Sequence, residues 1–420
     1  MRQSELFTKT QKTLPKDEES KNAKLLLQAS FIHKEMAGVY SFLPLGRRVM
    51  ENIMQIIRKE MNALGGQEIF LTSLQDSAPW RASGRWSDEV VDVWFKTKLK
   101  NDTEIGLANT HEEPLTALMR NHIQSYRDLP VYVYQFQTKL RNELRAKSGI
   151  MRTREFIMKD LYSFCRTKEE HEQFYELAKQ SYLKIFDRVG LGEQTYVTAA
   201  SGGSFSKYSH EFQTVCEAGE DTIYIDEQQR TAVNKEIIDE PEYDKSKLKE
   251  AKAVEVGNIF TLGTKYSEAL SLLYQDEQGK KHPVFMGSYG IGPARTMGTI
   301  AEVYADEKGL VWPEQVAPFL VHLIALPGVE AKADGLYDTL QKQGIEVLYD
   351  DRQHVQPGAK FADADLIGIP YRAVVSEQTV KQNSVEVKKR LEQNPQLIPW
   401  EQSYEFFKQH SFASRQGHRN

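Results

Sequence analysis

The chain has 420 residues, 40% of them hydrophobic and 27% charged, with a formal net charge of -5. That length carries two or three domains with cores of their own, and the acidic balance means that any contact with RNA must use local basic surface. The two cysteines, Cys165 and Cys216, exclude a disulfide framework and a four-cysteine zinc site; no apolar run reaches the roughly 18 residues of a membrane span, and Met1 to Glu19 lacks the make-up of a secretory signal, so the expected compartment is the cytoplasm.

Val49, Ile53, Ile56, Ile57 and Leu64 share one helical face and predict a helix from Arg47 to Leu64, ended by a left-handed cap at Gly65-Gly66 and followed by a strand from Glu68 to Leu71. Asn109-Thr110-His111-Glu112-Glu113 is no zinc motif, because residue 115 is Leu and the HExxH spacing fails. Thr110 and Glu112, at alternate positions, offer a hydroxyl and a carboxylate to an amine. The same residues also read as a helix start, with Thr110 capping and Glu113 three residues on.

Val131 to Phe136 reads as a strand, and Phe156 to Phe164 as its antiparallel partner. The loop between them carries Lys139, Arg141, Arg145, Lys147, Arg152 and Arg154 against a single acid, Glu143. Arg141 and Glu143 are expected on one face of the outgoing strand and Arg152 on the returning one. An arginine fork suits phosphate or carboxylate; a structural ladder of ion pairs fits these residues as well. A helix is expected from Glu169 to Val189, on Phe174, Leu177, Tyr182, Ile185 and Phe186, closing near Gly190.

Thr222 to Lys252 is polar and without clear period, which predicts a surface excursion. Strands are expected at Val254 to Leu262, Leu270 to Tyr274 and Pro283 to Met286. Within the first, Glu255 is a candidate magnesium ligand beside an amide and an aromatic ring, while core packing is the plainer reading of Phe260. Gly287 to Arg295 is not a dinucleotide fingerprint, since Arg295 stands where the third glycine belongs, and no GK[ST] follows. A glycine turn with an arginine in the first helical turn suits a polyphosphate; a plain strand-to-helix turn is the other reading. Trp312-Pro313 marks a domain boundary. Beyond it, Phe319 to Ala325, Ala333 to Gln343, Glu346 to Tyr349, Ala359 to Leu366 and Arg372 to Val375 alternate strand and helix, which predicts a small α/β domain with a largely parallel sheet.

Taken in order, these segments resemble the class II aminoacyl-tRNA synthetases, and specifically the bacterial prolyl-tRNA synthetases. The resemblance rests on Gly38 to Gly46 with the helix after it, Thr110 to Glu113, Lys139 to Glu143 with Gly149 to Asp160, Gly290 to Arg295, Val347 to Phe361 and Leu366 to Pro370. It implies an α+β catalytic domain with a six-stranded antiparallel sheet over residues 1–312, and an α/β anticodon-binding domain over 313–420. It further implies a homodimer acting on L-proline, ATP with Mg2+, and tRNA(Pro), with no zinc and no membrane. Arg141 would bridge the proline carboxylate and the α-phosphate. Glu143, Arg152, Thr153 and Asn258 would bind ATP, Arg295 would pair with the γ-phosphate, and Glu255 would help place magnesium. Thr110 and Glu112 would bind the proline ammonium, with Phe156, Tyr162 and Phe260 walling the ring. Asp351, Arg352 and Lys360 are the expected anticodon contacts.

The chain departs from the family pattern in four places. Residues 222–252 stand as a short remnant where most bacterial relatives insert an editing domain, which predicts no clearance of misloaded alanine. Thr72 replaces the proline that ends the first family motif, Asn258 stands where relatives usually have histidine, and Arg145-Ala146-Lys147 replaces Arg-Pro-Arg. Three other readings compete. A threonine-type synthetase would need a zinc site, a carrier-loading enzyme would not need the anticodon-like domain, and a non-catalytic tRNA-binding paralog would be favoured by loss of Arg141 or Arg295. The role of the basic tail Ser414 to Arg419 stays open.

Overall fold

The computed structural model describes residues 1–13, 18–144, 146, 148–203 and 208–410. Arg145, Lys147 and the tail Ser414 to Arg419 lie outside the described residues. Contacts divide the chain into two compact units: Met36–Val39 with Met54–Thr299, and Met1–Glu35 with Tyr40–Ile53 and Ile300–Asn420.

The first unit is built on a nine-stranded sheet. Its order is Tyr208–Val215, Thr195–Ser201, Thr231–Asn234, Asp221–Asp226, Lys249–Gly263, Phe285–Ile291, Glu155–Cys165, Val131–Leu140 and Gln67–Glu68. Pairing is antiparallel except where Gln67–Glu68 meets Val131–Leu140 and where Thr231–Asn234 meets Thr195–Ser201. The sheet exceeds the six strands implied by the family resemblance because Lys249–Gly263, fifteen residues long, pairs with both Asp221–Asp226 and Tyr208–Val215, Ala253 opposing Asp221 on one edge and Val215 on the other. Those two are joined through the remaining pair, so five strands close on themselves and leave no free edge among them.

Residues 222–252 are therefore not a surface excursion. Ile223 and Ile225 are buried with Ala232 and Ala253, while Tyr224 is buried with Val233, Ile237 and Ile238. Consecutive residues of one strand point to opposite faces, and here both faces are covered. That double burial erased the alternation a half-exposed strand would have shown.

The four central strands carry the site. Val131–Leu140 pairs residue for residue with Glu155–Cys165, which pairs with Phe285–Ile291, which pairs with Lys249–Gly263. Val133, Tyr162, Ser288 and Phe260 thus form one row across the sheet, and Gln135, Asp160, Gly290 and Asn258 form another two residues along, on the same face. The opposite face packs on the helix Lys168–Arg188, through His171, Phe174, Ala178, Ser181, Tyr182, Ile185 and Phe186, an i, i+3, i+4 stripe. Thr167 caps this helix by accepting from the Glu170 amide (3.2 Å), and Gly190, at φ +93°, follows its end.

Two further expectations change. Leu270 to Tyr274 is not one strand, because Ser271 is left-handed (φ +56°) and separates the helix Lys265–Ala269 from the strand Leu273–Gln275. Gly287 and Gly290 are not a turn but lie inside Phe285–Ile291. Close approach selects them: a Cβ on Gly287 would stand 2.5 Å from the His171 ring, and one on Gly290 would stand 2.8 Å from Asn258 Oδ1.

The second unit has a five-stranded sheet in the order Val347–Asp350, Val321–Ala325, Tyr371–Val375, Ser384–Lys389 and Gln396–Pro399. The first three strands run parallel, as expected, and the last two add antiparallel. Helices Glu330–Lys342 and Trp400–His410 cover its core of Val321, Leu323, Leu336, Tyr349, Ala373 and Phe407. The Met1 amine donates to Val347 O (2.9 Å), and Arg2 bridges Tyr349 in parallel, so the first residues extend this sheet at its edge. Among the described residues no helix is long and apolar enough to cross a membrane.

Candidate active site

The basic loop is built differently from the strand ladder its spacing suggests. The outgoing strand ends at Leu140, Arg141 makes an isolated bridge to Trp94, and the Glu143 amide folds back onto Arg141 O (2.8 Å). Arg152 follows the short 3-10 turn Gly149–Met151, ahead of the returning strand, which starts at Glu155. A turn, rather than strand alternation, brings these groups together. Arg152 then holds Glu143 Oε2 and Glu220 Oε2, each at 2.9 Å. Gly38 buttresses the loop: its carbonyl accepts from the Arg154 amide (2.7 Å), its φ is +75°, and a Cβ there would lie 2.3 Å from that of Ala146.

A cleft opens beside this loop, and Arg141, Glu143, Arg152, Thr153, Phe156, Glu255, Asn258 and Arg295 all line it. Arg295 sits in the first turn of the helix Pro293–Tyr304 and donates to Met151 O (2.8 Å), Glu255 O (2.9 Å) and Glu255 Oε2 (3.3 Å). Glu255 and Asn258, three apart on a strand, would normally face opposite ways. Val256 is the extra residue of a bulge, since Gln213 opposes Glu255 while Phe212 opposes Gly257, and the Asn258 amide consequently donates to Glu255 Oε1 at 2.6 Å.

Arg141 is held by Asn109, with Nε 3.1 Å from Oδ1, and among the described residues no carboxylate lies within 4 Å of it. Burial, and then the like charge of Arg295, lower its pKa. Two guanidiniums in one cleft, one of them without an acid partner, make a site for an anion. Glu211 was not foreseen; burial, and then the Glu255 charge, push its pKa up to about 7.

Thr110, Glu112 and Tyr162 form a second cluster. The helix Glu112–Met119 starts without a side-chain cap, so the capping reading of Thr110 fails: its hydroxyl donates to Glu112 Oε2 (2.5 Å) instead. The Tyr162 hydroxyl donates to Glu112 Oε1 (3.1 Å), and Ser288 approaches the same oxygen (3.4 Å). Phe260 stands in the row of Tyr162 and Ser288 and packs partly buried against the same core. Phe156 does not belong to this cluster. It lies six residues before Tyr162 on one strand, about 20 Å away at the strand rise, and under Arg141, whose Cζ is 5.3 Å from its ring centre. One five-membered ring cannot touch both aromatic side chains.

Arg85, Lys139, Asp160 and Ser288 also surround Glu112 or its partners and were not expected there. A signal existed for Asp160, a charge in the middle of the apolar run Phe156 to Phe164. Of the three residues expected at the anticodon, Lys360 is an interior group, 3% exposed, with its ammonium on Ala325 O (2.8 Å) and Asp350 O (3.3 Å). Arg352 pairs with Asp350 (2.6 Å) and Asp363 (2.8 Å), and Asp351 accepts from Ser4 and Arg2. Burial removes Lys360 from that expectation.

Residues 95–304 match the family described as tRNA synthetase class II core domain (G, H, P, S and T), and residues 321–410 match the anticodon binding domain. The antiparallel sheet, the bent arginine loop and the glycine strand leading to Arg295 are thus those of a class II aminoacyl-tRNA synthetase. The chain is 37% identical to the proline–tRNA ligase of Agrobacterium fabrum, over 93% of this chain and 96% of that one. It is 38% identical to that of Rickettsia bellii, over 92% and 94%. The chain belongs to the proline–tRNA ligase family. Its fold is similar to prolyl-tRNA synthetase from Cryptosporidium parvum solved with L-proline and AMP (TM-score 0.75, 20% identity, 94% of this chain and 77% of that one). The same enzyme solved with halofuginone and AMPPNP gives a TM-score of 0.77 at 19% identity, covering 94% and 79%.

Proposed function

We propose that the protein activates L-proline with ATP and transfers the prolyl group to the 3′ end of tRNA(Pro). The observation that carries this reading is the place of Arg141, held by Asn109 Oδ1 (3.1 Å) in the cleft that Arg295, Glu143 and Glu255 also line. A carboxylate oxygen of proline attacks the α-phosphorus, the bond to the β-phosphate oxygen breaks, and pyrophosphate leaves. A terminal ribose hydroxyl of the tRNA then attacks the prolyl carbonyl carbon, and AMP leaves with the electron pair. Arg141 neutralises the two anions that must approach each other, and positioning and charge stabilisation supply most of the rate.

Thr110 and Glu112 receive the secondary ammonium of proline, with Tyr162 and Phe260 beside the ring. Phe156 is reassigned to the nucleotide end, where its face suits adenine. Glu143, Arg152 and Thr153 hold the adenine end and outer phosphates, and Arg295 pairs with the γ-phosphate. Glu211 opposes Asn258 across the strand pair, and Asn258 holds Glu255, so these two carboxylates are the groups that would hold a magnesium ion accompanying ATP. When bound, that ion would neutralise phosphate charge.

The assignment extends to residues 1–312 as the catalytic region, 313–420 as the anticodon-binding region, and a cytoplasmic homodimer. Exposed Phe70 and Leu74, flanking Thr72, support a subunit contact. A small apolar ring gives few polar handles, so alanine is rejected by roughly 1 to 3 kcal/mol per methylene-scale difference. With only residues 222–252 at the editing insertion point, alanyl-tRNA(Pro) is not cleared by this chain; its rapid hydrolysis by the purified protein would refute that. A non-catalytic tRNA-binding paralog is disfavoured by Arg141 and Arg295 lining one cleft. Proline-dependent exchange of pyrophosphate into ATP, abolished by Arg141→Ala, is the expected result. Absence of exchange from a folded, ATP-binding protein would overturn the reading.

A further inference from the structure

We propose that the buried pair Lys139 and Asp160 decides which carboxylate reads the substrate amine, making Lys139 a positioning residue for proline recognition. The inference rests on the proposed function and concerns two side chains to which that reading gives no role.

Two carboxylates meet at one hydroxyl. The Tyr162 oxygen is 3.1 Å from Glu112 Oε1 and 3.2 Å from Asp160 Oδ2, and it has a single proton for both. Both acids are buried, at 2% and 3% exposure. Either could therefore attract an ammonium. Their surroundings differ in one respect.

Asp160 carries its counter-charge inside the protein: Lys139 Nζ lies 2.8 Å from Oδ2, and Gln135 Nε2 lies 2.9 Å from it. Glu112 is held by neutral hydroxyls from Thr110, Tyr162 and Ser288. Among the described residues the one cation within 4 Å of it is Arg85, at 3.9 Å, and Arg85 makes its closer pair with Glu113 at 3.0 Å. A buried carboxylate without a close cation is costly. Glu112 is thus the acid that gains most from an incoming ammonium.

Lys139 is itself fixed. Its ammonium donates to His111 Nδ1 (2.5 Å), so the ring carries its proton on Nε2 and donates to Thr72 O (3.1 Å). His111 directly precedes Glu112, which ties the lysine to the start of the helix that presents the reading carboxylate. The other oxygen of Asp160, Oδ1, is buried with no hydrogen-bond partner. Without the lysine charge it becomes a second, competing seat for the proline ammonium. Without the aspartate, the lysine is left to pair with Glu112 and to compete with the substrate for it.

The test is proline-dependent pyrophosphate exchange by Lys139→Met, Asp160→Asn and the charge-free double variant, with KM for proline and for ATP and a thermal melt of each. Each single variant is expected to raise the proline KM by roughly tenfold or more, while the ATP KM stays within about threefold. The double variant, which removes both charges together, is expected to return the proline KM to within about threefold of the parent. A double variant no better than the worse single, singles with unchanged proline KM, or an ATP KM that rises in step would each overturn the proposal. Should a single variant not fold, the double variant decides alone: a proline KM near the parent supports the pairing, and a tenfold rise overturns it. If the unaltered protein exchanges with no dependence on proline, the functional reading falls, and this inference with it.

Discussion

The Arg141 guanidinium lies over the ring of Phe156, 5.3 Å from its centre, and Phe156 lines the cleft that also holds Arg295. The aromatic face orients Arg141 without neutralising it. In the proposed function it belongs to the nucleotide end of the site. Phe156→Ala is therefore expected to raise the KM for ATP by roughly tenfold while leaving that for proline nearly unchanged. A proline KM that rises instead would return Phe156 to the amine pocket.

Arg295 uses three acceptors at once: the carbonyls of Met151 and Glu255 and the Glu255 carboxylate. A lysine ammonium keeps the charge but cannot reproduce that planar fork. Arg295→Lys is expected to lower kcat by about a hundredfold, measured by pyrophosphate exchange at saturating proline. Parent-like exchange would show that charge alone suffices there.

Glu112 and Tyr162 are expected to separate in size of effect. Glu112→Gln removes the charge that meets the substrate ammonium and is expected to raise the proline KM by roughly 10- to 100-fold. Tyr162→Phe removes one neutral donor, and about a threefold to tenfold rise is expected. Equal effects from the two would mean that Glu112 acts on the tyrosine rather than on the amine.

His171 is buried between the sheet and its helix, with Nε2 2.9 Å from Thr261 Oγ1, and burial lowers its pKa from 6.5 to about 4. The unfolded chain takes up this proton below pH 6.5, whereas the folded protein does so only near pH 4. The contribution is thus fully present above 6.5 and is lost as pH falls through the folded value, at about 1.4 kcal/mol per pH unit inside that window. The difference in melting temperature between the parent and His171→Asn is expected to shrink from about pH 7 to about pH 4.5. His111 and His322, also lowered to about 4, act in both proteins and cancel. A difference that does not change with pH would place the protonation elsewhere.

The strands around the basic loop, the helix Lys168–Arg188 and the parallel core of the second unit were legible because apolar spacing and glycine stops act within a few residues. Arg141 and Arg295, singled out by residue type, do line one cleft, and Glu112 does meet Thr110 and Tyr162. The bulge at Val256 was not, because it is defined by the opposing strand, and it alone sets Glu255 beside Asn258. Glu211, Arg85 and Ser288 join the site through pairings that span tens to hundreds of residues, for which no local pattern exists. Phe156 was expected beside Tyr162 and instead lies under Arg141, six residues away along one strand, a matter of distance rather than of chemistry.

In the proposed function the amine cluster and the nucleotide cleft draw on the same strands but on different rows of them. Their separation is therefore set by backbone rise and cannot drift with side-chain replacement, since slipping a strand by one residue would turn every side chain to the other face. Residues in the row of Tyr162, Ser288 and Phe260 can change while the reacting phosphate keeps its address. A sheet organised in this way works as a fixed ruler with an exchangeable end, so that a new amino acid could be accommodated without rebuilding the chemistry that activates it.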